Sequence, residues 1–257
     1  MITLQYHFNE CIPFDNFVIF TFTKFTNNCL IYAETGRYPF YVCIYKRIIR
    51  YWLKLTTTPE HRYISIIYHK LPGAWSLFVR NLLYKYGFGY VWEANAVGIA
   101  HPMFIKQFEQ RLMDTFQQSC RADIANSSRC TLYNSLQREF SMANYLNKVH
   151  IQSNRRALAK LRLSSHRLLI ERGRWLKITQ ENRLCAECLV LEDEYHVICV
   201  CTRYTELRIK YIKPYYINRP CMVKFLQLLN SENVGEMRKL SSFIKSLFNC
   251  YNTYLFS

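Results

Sequence analysis

The chain has 257 residues, half of them hydrophobic and 16% aromatic, which is enough to bury a core and too apolar for a disordered polymer. Its 34 Lys and Arg against 18 Asp and Glu leave a formal charge of +16, an excess whose natural partner is a polyanion. Eleven cysteines, an odd number at irregular spacing with no signal peptide ahead of them, argue against a secreted disulfide scaffold. They fit thiols kept reduced in an intracellular compartment, cytoplasmic or nuclear. No apolar run reaches the length needed to span a bilayer, so no membrane association is expected.

Taken in order, residues 1–36 are rich in aromatic and β-branched side chains and show no helical period; Val18 to Phe22 is a candidate strand. From Pro39 the pattern turns helical. Tyr41, Ile44, Tyr45, Ile48, Trp52 and Leu55 fall on one side, with Lys46, Arg47, Arg50 and Lys54 on the other. Thr58-Pro59-Glu60 opens a second helix that Pro72-Gly73 ends. Trp75, Phe78, Val79, Leu82, Leu83 and Tyr86 form the core stripe of a third, and Phe104, Phe108, Leu112 and Phe116 that of a fourth, begun at Pro102. Asp123 to Ser128 reads as a loop, and 129–147 as helix of weaker pattern. Charge rises near 148–153, the natural place for a soft boundary. The expected organisation is an unassigned segment 1–36, a helical region 37–150, and a basic, metal-binding region 151–257.

Between Lys148 and Leu184 ten Lys or Arg face only Glu171 and Glu181. A helix capped by Ser153 or Asn154 would set Ala157, Leu158 and Leu161 on a packing arc, leaving Arg155, Arg156, Lys160 and Arg162 on a cationic one. A second short helix, His166 to Arg172, would follow Ser164-Ser165 and close at Gly173, ahead of Arg174 and Trp175. Beyond Cys201, Arg203 to Ile212 should be helical up to Pro214, and Met237, Leu240, Phe243, Ile244 and Leu247 mark a last amphipathic helix.

The stretch with most chemistry is Cys185-Ala-Glu-Cys188, then His196, Cys199 and Cys201. Read as C-x2-C-x7-H-x4-C, it offers four soft ligands within 17 residues, and Zn²⁺ takes thiolate and imidazole tetrahedrally. The fourth ligand is open between Cys201 and Cys199: on a continuous helix i+3 lies nearer the face of His196 than i+5, which favours Cys199. Buried structural cysteines and a core histidine are the bland alternative. The intervening Glu192-Asp193-Glu194 is poor material for a core strand and reads as a solvated loop, or as partners of His196. A closed set of three thiolates and one imidazole is structural, since a catalytic zinc keeps an open position. No Gly-rich phosphate loop, nucleophile elbow, H-E-x-x-H or paired carboxylate cluster is present, so no enzymatic activity is expected.

Leu161-Arg-Leu-Ser-Ser-His166, Arg174-Trp175 and the zinc motif running into Cys201-Thr-Arg-Tyr204 together resemble the carboxyl-terminal zinc-binding region of non-LTR retrotransposon reverse transcriptases. Glu34-Thr-Gly-Arg-Tyr-Pro39 and Tyr51-Trp-Leu-Lys54 are similar to the segment that follows the polymerase part of such proteins. The resemblance implies Cys185, Cys188, His196 and Cys201 as ligands, a role in nucleic-acid binding, and a polymerase tail detached from its palm and endonuclease.

The expectation is therefore a mainly α protein, an irregular multi-helix array with a small zinc-stapled, knuckle-like loop. Arg155, Arg156, Lys160, Arg162, Arg167, Arg172 and Arg174 would contact RNA or DNA phosphates, with Trp175 stacking on a base or packing against the loop. Neutralising six phosphates of a single strand would give a log–log salt slope of about −4. The competing expectation is a protein–protein module, with the loop and helix 236–248 packed on polymerase domains of an intact element.

Overall fold

The computed structural model describes residues 27–59, 62–63, 73–137 and 139–256, and they are mainly α-helical. Two isolated bridges, Thr35 with Met142 and Leu184 with Leu191, are the β pairing among these residues. No described helix is long and apolar enough to cross a membrane. The candidate strand 18–22 and most of the helix expected at 58–72 lie outside the described residues. The chain divides into two compact units, one containing Tyr38–Ser119, the other the described residues up to Arg37 together with Cys120–Ser257. The rise in charge near 148–153 lies inside the second unit.

In the first unit the periodicity located helices but not every buried face: of the stripe expected on the first helix, Trp52 and Leu55 are buried and Ile44 is exposed. Helix Phe40–Thr56 buries Ile49, Trp52 and Leu53, and helix Ala74–Lys85 buries Val79, Leu82 and Leu83. Phe104, Phe108 and Leu112 of the His101–Ala125 helix complete this core, with Trp92 stacked on Trp52 at 5.4 Å. Trp75 and Phe78, expected inside, are 36% and 40% exposed at the margin of the stripe. Helix His101–Ala125 also consumes the start of the loop expected at 123–128.

The second unit is built on helix Gln152–Arg162 laid along helix Val234–Phe256, with Leu158 and Leu161 against Leu240, Phe243, Ile244 and Leu247. The cap expected from Ser153 or Asn154 does not form: helix starts after Ile151, and Asn154 is buried, donating to Ser242 Oγ at 2.8 Å. Among the described residues of the weakly patterned stretch 129–147, only Thr131–Leu136 and the segment beginning at Tyr145 (Tyr145–Lys148) are helical. The following short helix is Leu169–Trp175, and Gly173 lies within it rather than ending it. A Cβ there would sit 2.8 Å from the Arg183 side chain, whose guanidinium holds Ile170 O and Ile178 O.

Residues 28–35 also depart from expectation. They form a helix, Asn28–Thr35, capped by the Asn27 side chain and ended by left-handed Gly36 (φ 63°), where a Cβ would come within 2.6 Å of Met142 N. This helix carries Glu34 into the second unit's interior. Arg162, placed on the cationic arc by the helical wheel, is 1% exposed there and donates to both Glu34 oxygens, at 2.6 and 3.3 Å. Leu229 O and Asn230 Oδ1 accept its other protons at 3.0 Å, and the Tyr145 ring lies 5.4 Å from its guanidinium carbon. So Arg162 cannot reach a phosphate: burial and a carboxylate 128 residues away in sequence have claimed it.

Breaking a buried pair strands the surviving charge, so Arg162→Met should cost about 3–5 kcal/mol. Glu34→Leu combined with Arg162→Met should restore a large part of that. Urea unfolding of the single and double variants measures both; an Arg162→Met midpoint equal to wild type would contradict the pair's role.

Candidate metal centre

Two local turns bring the ligands together. The first is a tight hairpin: Glu192 N donates to Arg183 O at 2.9 Å, Cys185 N to Val190 O at 2.8 Å, and Leu189 N to Cys185 O at 2.8 Å. Leu189 takes the left-handed conformation (φ 56°) that closes it, with its side chain 74% exposed. The second is a π-helical turn, His196–Val200, in which Cys201 N donates to His196 O at 2.7 Å. Asp193 Oδ1 accepts from His196 N at 2.7 Å, capping the start of that turn. Buried Arg208 closes its end, donating to Ile198 O at 2.8 Å and to Cys201 O.

The turn decides which cysteine lies beside the other three residues. An i→i+5 bond widens the turn and returns Cys201 to the side of His196, where an α-helix would have offered Cys199. Cys199 instead points into the apolar core, and burial pushes its thiol up to about 12. Ligand atoms of Cys185, Cys188, His196 and Cys201 all lie within 4.8 Å of one another. Cys201 Sγ stands 3.8 Å from Cys185 Sγ and 4.0 Å from Cys188 Sγ. Tetrahedral thiolates at about 2.3 Å from one zinc would be about 3.8 Å apart. The His196 Nε2 is buried without a hydrogen-bond partner, an uncompensated group that a metal ion would satisfy. These four residues can hold a metal ion.

Electrostatics set its pH dependence. Burial pushes the Cys201 thiol up to about 12, whereas the neighbouring Thr202 hydroxyl draws Cys188 down. Burial also lowers His196, keeping its imidazole neutral and ready to ligate. Without a cation Cys201 is protonated at neutral pH, so binding must displace its proton and weakens as pH falls.

The acidic loop is not solvated as the sequence suggested. Glu192 and Glu194 are buried because each serves a distant group: Glu192 Oε1 accepts from Leu169 N (2.7 Å) and the Tyr251 hydroxyl (2.6 Å), and Glu194 Oε1 meets His166 Nε2 at 2.9 Å. The ligand loop is thereby tied to helix Leu169–Trp175, to the Ser164–Arg167 segment and to the carboxyl-terminal helix.

The expected phosphate contacts divide. Arg156, Lys160 and Arg167 line one groove of about 460 Å³ between helices Gln152–Arg162 and Val234–Phe256. Arg155 turns back onto Val149 O and His150 O, and Arg174 onto Glu171 and Ser128, alongside Arg129, which also pairs with Glu171. Arg172 is half-buried, with its Nε lacking a partner. Trp175 is 53% exposed and stands beneath the Arg129 guanidinium, 6.0 Å from ring centroid to carbon, rather than packed into the core. Sequence reasoning missed Arg208, Thr202 and Lys245; only the last, on the polar side of a recognisable amphipathic helix, carried a signal.

Cys188→Ser and Cys201→Ser should each abolish stoichiometric metal binding, while Cys199→Ser should keep it. Metal content of the purified variants decides this, and Cys199→Ser behaving like Cys201→Ser would refute the assigned set. Titrated with a chromophoric competitor, wild-type affinity should fall steadily from about pH 8 to about pH 5 as protons take the ligands.

The chain matches no family model, no curated protein and no solved structure.

Proposed function

We propose that this protein is a zinc-stapled nucleic-acid-binding module without chemistry of its own, related to the tail of non-LTR retrotransposon reverse transcriptases. The observation that carries the reading is the meeting of a closed Cys₃His set with a basic segment tied to it through Glu192 and Glu194. Zinc is the ion this set suits, because soft thiolates and one imidazole in a tetrahedral shell leave no open position for substrate or water. Its work is structural: it holds the 185–201 loop, and the loop holds the segment bearing His166, Arg167 and Arg172.

Binding is electrostatic and weakly sequence-selective, through phosphates rather than base edges. From the expected set Arg156, Lys160, Arg167 and Arg172 would make these contacts, since Arg162 is buried and Arg155 and Arg174 serve carbonyl and carboxylate partners. The second reading, a docking module for polymerase domains, rests on the exposed apolar tip of the loop, Leu189, Val190 and Val200.

For about four phosphate contacts on a single strand the log–log salt slope should be about −3, shallower than the charge count alone suggests. Fluorescence anisotropy of a labelled oligonucleotide across salt concentrations measures it. A slope near zero, or no binding at low salt, would sink the nucleic-acid reading and favour the docking module.

A further inference from the structure

The four ligands are unequally covered. Cys185, His196 and Cys201 are each at most 4% exposed, whereas Cys188 is only half-buried. Its surroundings are open too: Leu189, Val190 and Val200 are exposed, and its sulfur meets the hydroxyl of exposed Thr202 at 3.5 Å. A reagent from solution therefore meets the cluster at the Cys188 sulfur before the other two thiols. The buried thiols outside the cluster are poor targets. Burial pushes Cys120, Cys130 and Cys199 up, holding them in the protonated form that reacts slowly.

Ligation makes the half-exposed sulfur reactive, and the second turn gives it a partner. A metal ligand is a thiolate, and the thiolate is also the nucleophile, so a Cys188 that serves a metal is kept in its reactive form. Cys201 Sγ stands 4.0 Å away on the other turn, placed to resolve an oxidised first sulfur. Closing them to a disulfide takes about 2 Å of further approach. Cys185 lies in the same cluster, 3.8 Å from Cys201, but its own sulfur is covered.

We propose that Cys188 is the entry site for a peroxide oxidant, and that the Cys188–Cys201 pair closes to a disulfide and releases the metal. The proposal rests on the zinc-staple reading and adds regulation to that same site. The Cys188 thiolate attacks one peroxide oxygen and the O–O bond breaks, leaving a sulfenic acid and hydroxide. The Cys201 thiolate then attacks that sulfur, forming the S–S bond and expelling a second hydroxide. Two protons from solvent convert both hydroxides to water. The two sulfurs together lose two electrons and the peroxide gains them. Cys185 and His196 are then the ligands left, two where a structural zinc takes four. The disulfide joins the same two turns, so the loop stays closed without the metal.

The test treats the full metal-bound chain with hydrogen peroxide beside a chromophoric zinc indicator, and maps the thiols by peptide mass spectrometry. Metal release should keep pace with a Cys188–Cys201 disulfide, at about one peroxide per ion. Exposed Cys221 and Cys250 serve as internal standards. Metal retained after both are oxidised overturns the proposal, as does any other disulfide within the cluster. Cys188→His preserves a four-ligand set of two thiolates and two imidazoles, and should slow release by about tenfold or more. Release at the wild-type rate overturns the entry site. If that variant purifies without metal, limiting iodoacetamide on wild type decides the same point. Cys188 labelled ahead of Cys185 and Cys201, with release keeping pace, supports entry there, and any other order overturns it. If wild type itself carries no zinc, the staple reading fails and mapping alone judges the thiols. Closure of Cys188 with Cys201 ahead of Cys221 and Cys250 oxidation then retains an oxidant site, and its absence removes it.

Discussion

Four ligands drawn from two separate turns can meet only if the second turn brings residue i+5 back over residue i. The hydrogen bond from Cys201 N to His196 O does this, and much of the second unit depends on it. A turn this wide leaves carbonyls without helical partners, and Arg208 satisfies two of them from the next helix. At the other end the Asp193 carboxylate takes the first free N–H. Between these fixed ends the loop presents Glu192 and Glu194 inward, to Leu169, Tyr251 and His166, so ligand geometry and the packing of three neighbouring elements are one problem.

Charge distribution follows a related rule. A buried guanidinium is tolerated where several carbonyls or a carboxylate meet its fork, and Arg162, Arg183 and Arg208 are all used this way. These arginines hold the fold and add little to the outward field. The formal +16 therefore overstates what a polyanion would encounter, and the remaining field is better described by where the cations gather than by their number.

Much of this was legible in sequence. Helical periodicity located helices Phe40–Thr56, Ala74–Lys85 and His101–Ala125 but not the short Gly89–Glu93, and ligand spacing marked Cys185, Cys188 and His196 directly. What failed did so for identifiable reasons. A helical wheel sorts residues by angle and cannot see a partner 128 positions away, so Arg162 was placed outside when Glu34 holds it inside. An α-helical period was assumed at 196–201 where a π turn forms, which favoured Cys199. Glu192 and Glu194 looked solvated because single residues carry no sign of the N–H and hydroxyl donors waiting for them. Gly173 read as a stop, yet its role is to admit the Arg183 stem.

The most direct test of this account is zinc-edge X-ray absorption on protein purified with its metal. It predicts one ion per chain with three sulfur ligands at about 2.3 Å and one nitrogen at about 2.0–2.1 Å, with no oxygen ligand. Four sulfurs, which would bring Cys199 into the shell, or an oxygen in place of His196, would contradict the π-turn geometry on which the rest is built.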